Sequence, residues 1–202
     1  EKRKIPQILE NSWSGIIIME NAKYMIGLLG TIGAGKTIAS DYLIKKHGFY
    51  RVGMGDLVRE VTRQEGMELT RENLQAIQKK YRDKYGPEYF IRETIERLNK
   101  SVGNRLLIDG LRTPVDASEA KKAGAVLVLI DAPKEVRYER LKARKREGDA
   151  QTFEHFLEQE KREWEMLSFK ETLKLVDNKI ENSSNLNELY KKIDKFIERL
   201  IK

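Results

Sequence analysis

The chain has 202 residues, 40% of them hydrophobic, enough to bury a core. It has no cysteine and only two histidines, His47 and His155, which excludes a disulfide scaffold, a thiolate zinc site, an iron–sulfur cluster and a cysteine nucleophile. Thirty-nine Lys and Arg against 32 Asp and Glu give a net charge of +7, which suits anionic partners such as nucleotides, phosphorylated metabolites or nucleic acid without choosing among them.

Residues 1–22 read as an extension of unknown role, in which short apolar patches alternate with Asn, Ser and Gly. The longest early apolar run, Ile16 to Met19, is too short for a membrane span or a signal-peptide core. A soluble, cytoplasmic protein is expected, with Met25 as a natural start. Regular patterning begins at Tyr24. Tyr24–Leu29 predicts a buried strand closed by Gly30, and Ile38–Lys46 a helix stopped at Gly48 behind a basic last turn. Phe49–Val52 predicts a second strand and Leu57–Glu65 a helix ending at Gly66. Thr70–Tyr85 carries Leu74, Ile77 and Tyr81 at helical spacing, and Pro87 is placed to open the next helix, through Leu98.

Leu106–Ile108, ending in Asp109-Gly110, predicts the third strand, and Ala117–Ala123 a short helix. Ala125–Ile130 is an unbroken apolar run, as expected of a central strand covered on both faces. Helices are predicted over Pro133–Arg146 and over 152–167, with Thr152 as a cap. Leu173–Ile180 is assigned to the fifth strand, and Asn185–Ile201 to a closing amphipathic helix. Strand–helix alternation along the chain predicts a three-layer α/β domain over 23–202 with a five-stranded, mainly parallel sheet.

One motif carries chemistry. Gly30-Thr-Ile-Gly-Ala-Gly-Lys-Thr37 fits G-x-x-x-x-G-K-[ST], directly after a strand and opening a helix. Gly30, Gly33, Ala34 and Gly35 let the backbone wrap phosphates with its N–H groups, and the helix end adds positive potential. Lys36 supplies a charge to the β- and γ-phosphates of a nucleotide such as ATP, and the Thr37 hydroxyl can ligate Mg²⁺. The order Gly30, Gly33, Gly35 does not fit the dinucleotide motif G-x-G-x-x-G. Asp109, at the end of an apolar run, is the candidate for the metal shell, through water.

Gly110 follows Asp109 where motor and transporter ATPases carry a water-activating glutamate. The guanine-reading and D-x-x-G signals of GTPases are missing too. Phosphate-holding parts without water-activating parts favour a phosphotransferase. Such an enzyme needs further cations around the transferring group. Arg59 and Arg112 follow the second and third strands, at the edge where open α/β sheets bind ligands. Arg137, Arg140 and Arg144 share one helix face; with Arg146, Lys161 and Arg162 they read as an arginine-rich lid over about 137–165, or as a solvated basic face.

With these motifs in view, the chain resembles the nucleoside-monophosphate kinases, adenylate kinase and its relatives, over most of Met25 to Lys202. Gly55-Asp56-Leu-Val-Arg59 is similar to that family's G-D-x-x-R, and Asp109-Gly-Leu-Arg112-Thr113 to its D-G-F-P-R-T, short by the proline. Arg140 and Arg144 resemble the family's paired lid-hinge arginines, and Asp177 through Asn182 the stretch along the donor adenine. The phrases Met54-Gly-Asp56-Leu-Val-Arg59 and Ile108-Asp-Gly-Leu-Arg112 resemble an archaeal-type group within it. The resemblance implies an ATP- and Mg²⁺-dependent kinase of a small phosphorylated acceptor, a nucleoside monophosphate, with an acceptor-side helical insertion over about 55–99.

It further implies that Asp56, Arg59 and Arg112 face the acceptor, and that Arg140, Arg144 and Asn182 lie on the donor side; Arg162, from the basic cluster, is expected to bind substrate as Arg140 and Arg144 close over the transferring group. Met54 stands where the family has a hydroxyl residue, and Asp116 where it has a base-reading glutamine. Asp116 reads an amino group or caps the following helix. Tyr81, Tyr85, Tyr89 and Phe90 are core or stack on a base, and Arg82 and Arg92 are candidate phosphate contacts. The P-loop is also similar to that of dephospho-CoA kinases, which makes dephospho-CoA the alternative acceptor. A nucleotide-dependent binding or regulatory protein is the alternative of another class, and a nucleic-acid partner is not expected.

Overall fold

A computed structural model of the chain describes residues 23–144 and 150–201. Five strands form one sheet in the order β2-β3-β1-β4-β5. They are β1 (Tyr24–Leu29), β2 (Tyr50–Gly53), β3 (Arg105–Asp109), β4 (Ala125–Asp131) and β5 (Asn178–Glu181). All four pairings are parallel, so the α/β expectation holds with a wholly parallel sheet. Helices α1 (Lys36–His47) and α9 (Leu186–Leu200) cover one face. Helices α2 (Met54–Gln64), α3 (Arg71–Tyr85), α4 (Tyr89–Asn99), α5 (Pro114–Lys122) and α8 (Phe169–Leu173) cover the other.

Side-chain alternation along each strand feeds two cores. Met25 and Leu29 of β1, Leu106 and Ile108 of β3, and Leu127 and Leu129 of β4 enter the larger one. Ile26, Leu28, Leu107, Val128 and Ile130 enter the other, against Leu43 of α1 and Leu189, Ile193 and Phe196 of α9. A third, small core joins α6 (Lys134–Arg144) to α7 (Phe153–Met166) through Leu141, Ala150 and Phe156. Among the described residues no helix is long and apolar enough to cross a membrane.

The strand expected over Leu173–Ile180 is shorter than the apolar pattern suggests. Ser168 takes a left-handed conformation, φ 50°, which ends α7 and starts α8 through Leu173. Leu173, Leu175 and Val176 then pack partly buried side chains against the larger core from a helix end and the turn after it, and pairing begins only at Asn178. Pro87 lies in the turn before α4, which starts at Tyr89 after Tyr89 N bonds Gly86 O at 3.1 Å. Residues 1–22, with the expected extension, lie outside the described residues, as do Arg146, Gly148 and Asp149 of the expected lid.

Candidate active site

Register brings the C-terminal ends of the strands to one edge. Gly53 of β2 pairs with Asp109 of β3, Leu28 of β1 pairs with Asp109, and Asp131 of β4 pairs with Glu181 of β5. The 30–37 loop leaves β1 at this edge, and Asn182 leaves β5 beside it. Gly33 and Gly35 have φ of 79° and 92°, where a side chain would be strained. The loop is also packed from behind: a Cβ on Gly33 would meet Arg137 O at 2.7 Å, and one on Gly35 would meet Asn182 Nδ2 at 2.3 Å. Helix α1 starts after Gly35 with no side-chain cap, so its first N–H groups are left for a ligand.

Asn182 is 2% exposed; its Nδ2 donates to Ala34 O at 2.9 Å and its backbone N–H to Asp131 O at 2.7 Å. It thus braces the loop from beneath rather than standing open to a base. Arg140 lies against the same feature, Nη2 donating to Asn182 O at 2.9 Å and Nη1 to Gly33 O at 3.4 Å. Burial lowers the pKa of its guanidinium.

In front of the loop, Lys36 Nζ donates to Asp109 Oδ1 at 2.7 Å. Arg51, on β2, donates from Nε to Asp109 Oδ2 and from Nη1 to Asp56 Oδ2, each at 2.8 Å. Arg59 Nη1 completes the chain to Asp56 Oδ1 at 3.0 Å. Burial raises the Asp109 pKa, but the charges and hydrogen bonds of Lys36 and Arg51 outweigh it, and the carboxyl sits below its ordinary range. Burial alone would lower Arg51; Asp109 and Asp56 reverse this and raise it. Lys36, Asp109, Asp56 and Arg59 are therefore brought together, and Arg51, absent from the sequence reading, joins them. The one local hint is Gly53, where a Cβ would meet Asp56 Oδ2 at 2.4 Å and Arg51 Nη2 at 2.6 Å.

The loop, the uncapped helix start, the exposed Thr37 hydroxyl and the Asp109 carboxylate form a donor set that fits a Mg²⁺–triphosphate. Among the described residues, no cluster of three or more His, Asp or Glu could hold a metal by itself.

Other expected site residues lie elsewhere. Arg137 is not a lid cation: it is 3% exposed, with Nη1 donating to Glu160 Oε1 at 2.5 Å and to Ile32 O at 3.3 Å, and Nε to Ala132 O at 3.0 Å. Desolvation of an arginine at the back of the loop requires that buried partner. Arg112 is exposed and pairs with Glu163 of α7 at 2.7 Å. Arg162 points to Glu158 at 3.7 Å, both largely exposed. Arg144, at the exposed end of α6, has a partner of its own.

Arg92 donates to Tyr85 O at 3.1 Å. Asp116 resolves toward the cap. Its Oδ2 accepts from Thr113 N at 3.1 Å, while Thr113 Oγ1 accepts from Asp116 N at 3.2 Å. Burial raises its pKa, and Arg82 Nη2 lies 3.7 Å from Oδ1. Phe90 is buried in the larger core and Tyr81 and Tyr89 pack on it, whereas Tyr85 is exposed. Tyr81 donates to Glu65 at 2.7 Å, and that bond first, with burial, pushes its hydroxyl up to about 12.

An AAA domain family matches residues 26–168. A UPF0200 protein of Pyrococcus horikoshii is 30% identical over 186 residues, covering 88% of this chain and 97% of the relative. The chain belongs to the UPF0200 family. A UPF0200/UPF0201 protein of Archaeoglobus fulgidus is 32% identical over 183 residues, and the match spans 88% of this UPF0200 chain but 56% of that longer protein. Among solved structures, shikimate kinase of Bacteroides thetaiotaomicron shares the fold, with a TM-score of 0.59 at 13% identity, covering 88% of this chain and 98% of that one.

Proposed function

We propose that this UPF0200 chain is an ATP- and Mg²⁺-dependent kinase of a small phosphorylated acceptor, a nucleoside monophosphate. The observation that carries the reading is the row of charges from the P-loop to α2. Lys36 stands at the start of α1, 2.7 Å from Asp109, and Arg59 stands at the far end of the row. One end suits a triphosphate tail, and the other a second anion. The fold shared with shikimate kinases supports phosphotransfer over hydrolysis, and so does Gly110 after Asp109, where a water-activating carboxylate would otherwise sit.

In this reading the loop amides and Lys36 hold the donor phosphates, while Arg140 steadies the loop at Gly33 and Asn182. Asp56 orients Arg59 toward the acceptor phosphate. Arg112 reaches it after leaving Glu163. Thr37 and Asp109 would hold Mg²⁺, which when bound neutralises charge on the β- and γ-oxygens. No water-activating role is assigned to any side chain.

The test is a coupled ADP-release screen with ATP and Mg²⁺ against the nucleoside monophosphates, dephospho-CoA and shikimate. Acceptor-dependent ADP release with one nucleoside monophosphate is the expected result. Lys36→Ala should reduce it by about 100-fold or more, measured on protein shown by circular dichroism to be folded. ADP release that no acceptor stimulates would replace the kinase by a hydrolase or regulatory protein, and stimulation by dephospho-CoA alone would move the acceptor class.

A further inference from the structure

Arg51 joins the two halves of the site. Lys36, Asp109, Arg51, Asp56 and Arg59 alternate in sign, each in hydrogen-bond contact with the next, at 2.7, 2.8, 2.8 and 3.0 Å. Two carboxylates thereby hold three cations. Asp109 is 6% exposed and shares its two oxygens between Lys36 and Arg51, while Asp56, at 54%, shares its own between Arg51 and Arg59.

A purely structural staple accounts for this poorly. The Arg51–Asp56 contact is solvated, and such pairs contribute little to stability. Both ends of the pair lie over the Gly53 backbone, where a Cβ would touch Asp56 Oδ2 and Arg51 Nη2. The arginine fork also suits phosphate oxygens, which accept two parallel bonds from it. With the side chain one-third exposed, leaving a carboxylate for a phosphate requires side-chain rotation and no backbone movement.

We propose that Arg51 is a phosphate-binding residue spanning the donor and acceptor halves of the site, held by Asp109 and Asp56 until a polyphosphate enters between the P-loop and α2. The proposal rests on the kinase reading above, and its ligand class is a phosphoryl group lying beyond the γ position of a P-loop nucleotide. Asp109, once Arg51 has turned to the phosphate, would be free to hold Mg²⁺, so one carboxylate would link occupancy of the two halves.

The test needs no knowledge of the acceptor base. Titration calorimetry would measure ATP and adenosine 5′-tetraphosphate, each with Mg²⁺, on the full chain and on Arg51→Gln and Arg51→Lys. The fourth phosphate reaches past the γ position without bringing a second base. The unmodified chain should bind the tetraphosphate about tenfold more tightly than ATP, the worth of one added charge-assisted contact. That ratio should vanish in Arg51→Gln and survive in part in Arg51→Lys. Because it is a ratio within one preparation, a partly unfolded variant does not imitate the effect.

A tenfold preference retained in Arg51→Gln would make Arg51 a staple and overturn the proposal, leaving the kinase reading intact. Binding of ATP with no preference for the tetraphosphate in the unmodified chain would overturn it as well. If neither nucleotide bound, the P-loop reading would fall with it. A preference lost in Arg51→Gln would uphold Arg51 even where the ADP-release screen found no acceptor.

Discussion

Removing the carboxylate of Glu160 tests how the back of the P-loop is held. Glu160 and Arg137 are 6% and 3% exposed and bond at 2.5 Å. Deleting one member of such a pair leaves a buried charge, at a cost of about 3–5 kcal/mol. Arg137 would keep Ala132 O at 3.0 Å, Ile32 O at 3.3 Å and the face of Phe156 at 5.2 Å. These residual contacts place Glu160→Ala at the lower end, about 3 kcal/mol, or about 6–12 °C in melting temperature for a domain of this size. Glu160→Gln keeps a neutral acceptor and should lose about half as much.

Urea unfolding followed by circular dichroism gives the free energy, and an unchanged slope shows that the unfolded state is the same. The paired replacement Arg137→Met with Glu160→Leu should recover most of the loss, because no charge remains buried. It should still bind ATP less tightly, since the Arg137 bond to Ile32 O is gone. A loss below about 1 kcal/mol in Glu160→Ala, or a double variant no more stable than the single one, would refute the reasoning.

Two further outcomes follow from the same geometry. The folded pKa of Asp109 is depressed, so its contribution to stability is present in full above about pH 5 and is lost as pH falls through the folded value. The stability gap between the unmodified chain and Asp109→Asn should therefore be constant from about pH 5 to 7 and shrink below about pH 4; a gap that widens on acidification would contradict this. Gly35 and Gly48 are both left-handed, φ 92° and 68°, but a Cβ meets Asn182 Nδ2 at 2.3 Å only at Gly35 and nothing within 4 Å at Gly48. Gly48→Ala should cost the backbone strain alone, about 1 kcal/mol, and Gly35→Ala clearly more in thermal melts; equal losses would remove Asn182 as the brace of the loop.

The sheet and the loop could be read from the chain because their signals are local. Alternation in β1, β3 and β4 shows on the sequence itself, and the P-loop needs its glycines, lysine and threonine side by side. Thr70, Thr152 and Asn185 each cap the helix that follows, as residue type and position foretold for Thr152. The 173–180 run misled because an apolar side chain can reach a core from a turn as well as from a strand, and Leu175 and Val176 do.

What could not be read was pairing across distance. Arg51 lies 58 positions from Asp109, Arg112 lies 51 from Glu163, and Arg137 lies 23 from Glu160. Nothing in the local sequence distinguishes these glutamates from solvated neighbours such as Glu158. Spacing put Arg137, Arg140 and Arg144 on one helix face, but a face has depth along its length. The first is sealed beneath the loop, the second touches its edge at Gly33, and the third is exposed. The same holds for α7, where Glu160 and Glu163, one turn apart, reach two different arginines, one buried and one exposed. Helix α7 is thus tied to α6 through one buried pair, whose arginine also reaches Ile32 O of the loop, and to the segment after β3 through an exposed one. Moving α7 away from α6 would have to break the buried pair, at about 3 kcal/mol or more. Opening only the exposed Arg112–Glu163 pair costs about 1 kcal/mol or less. The buried pair therefore holds α7 to α6, and the exposed pair is the one that can open to free Arg112 for the site.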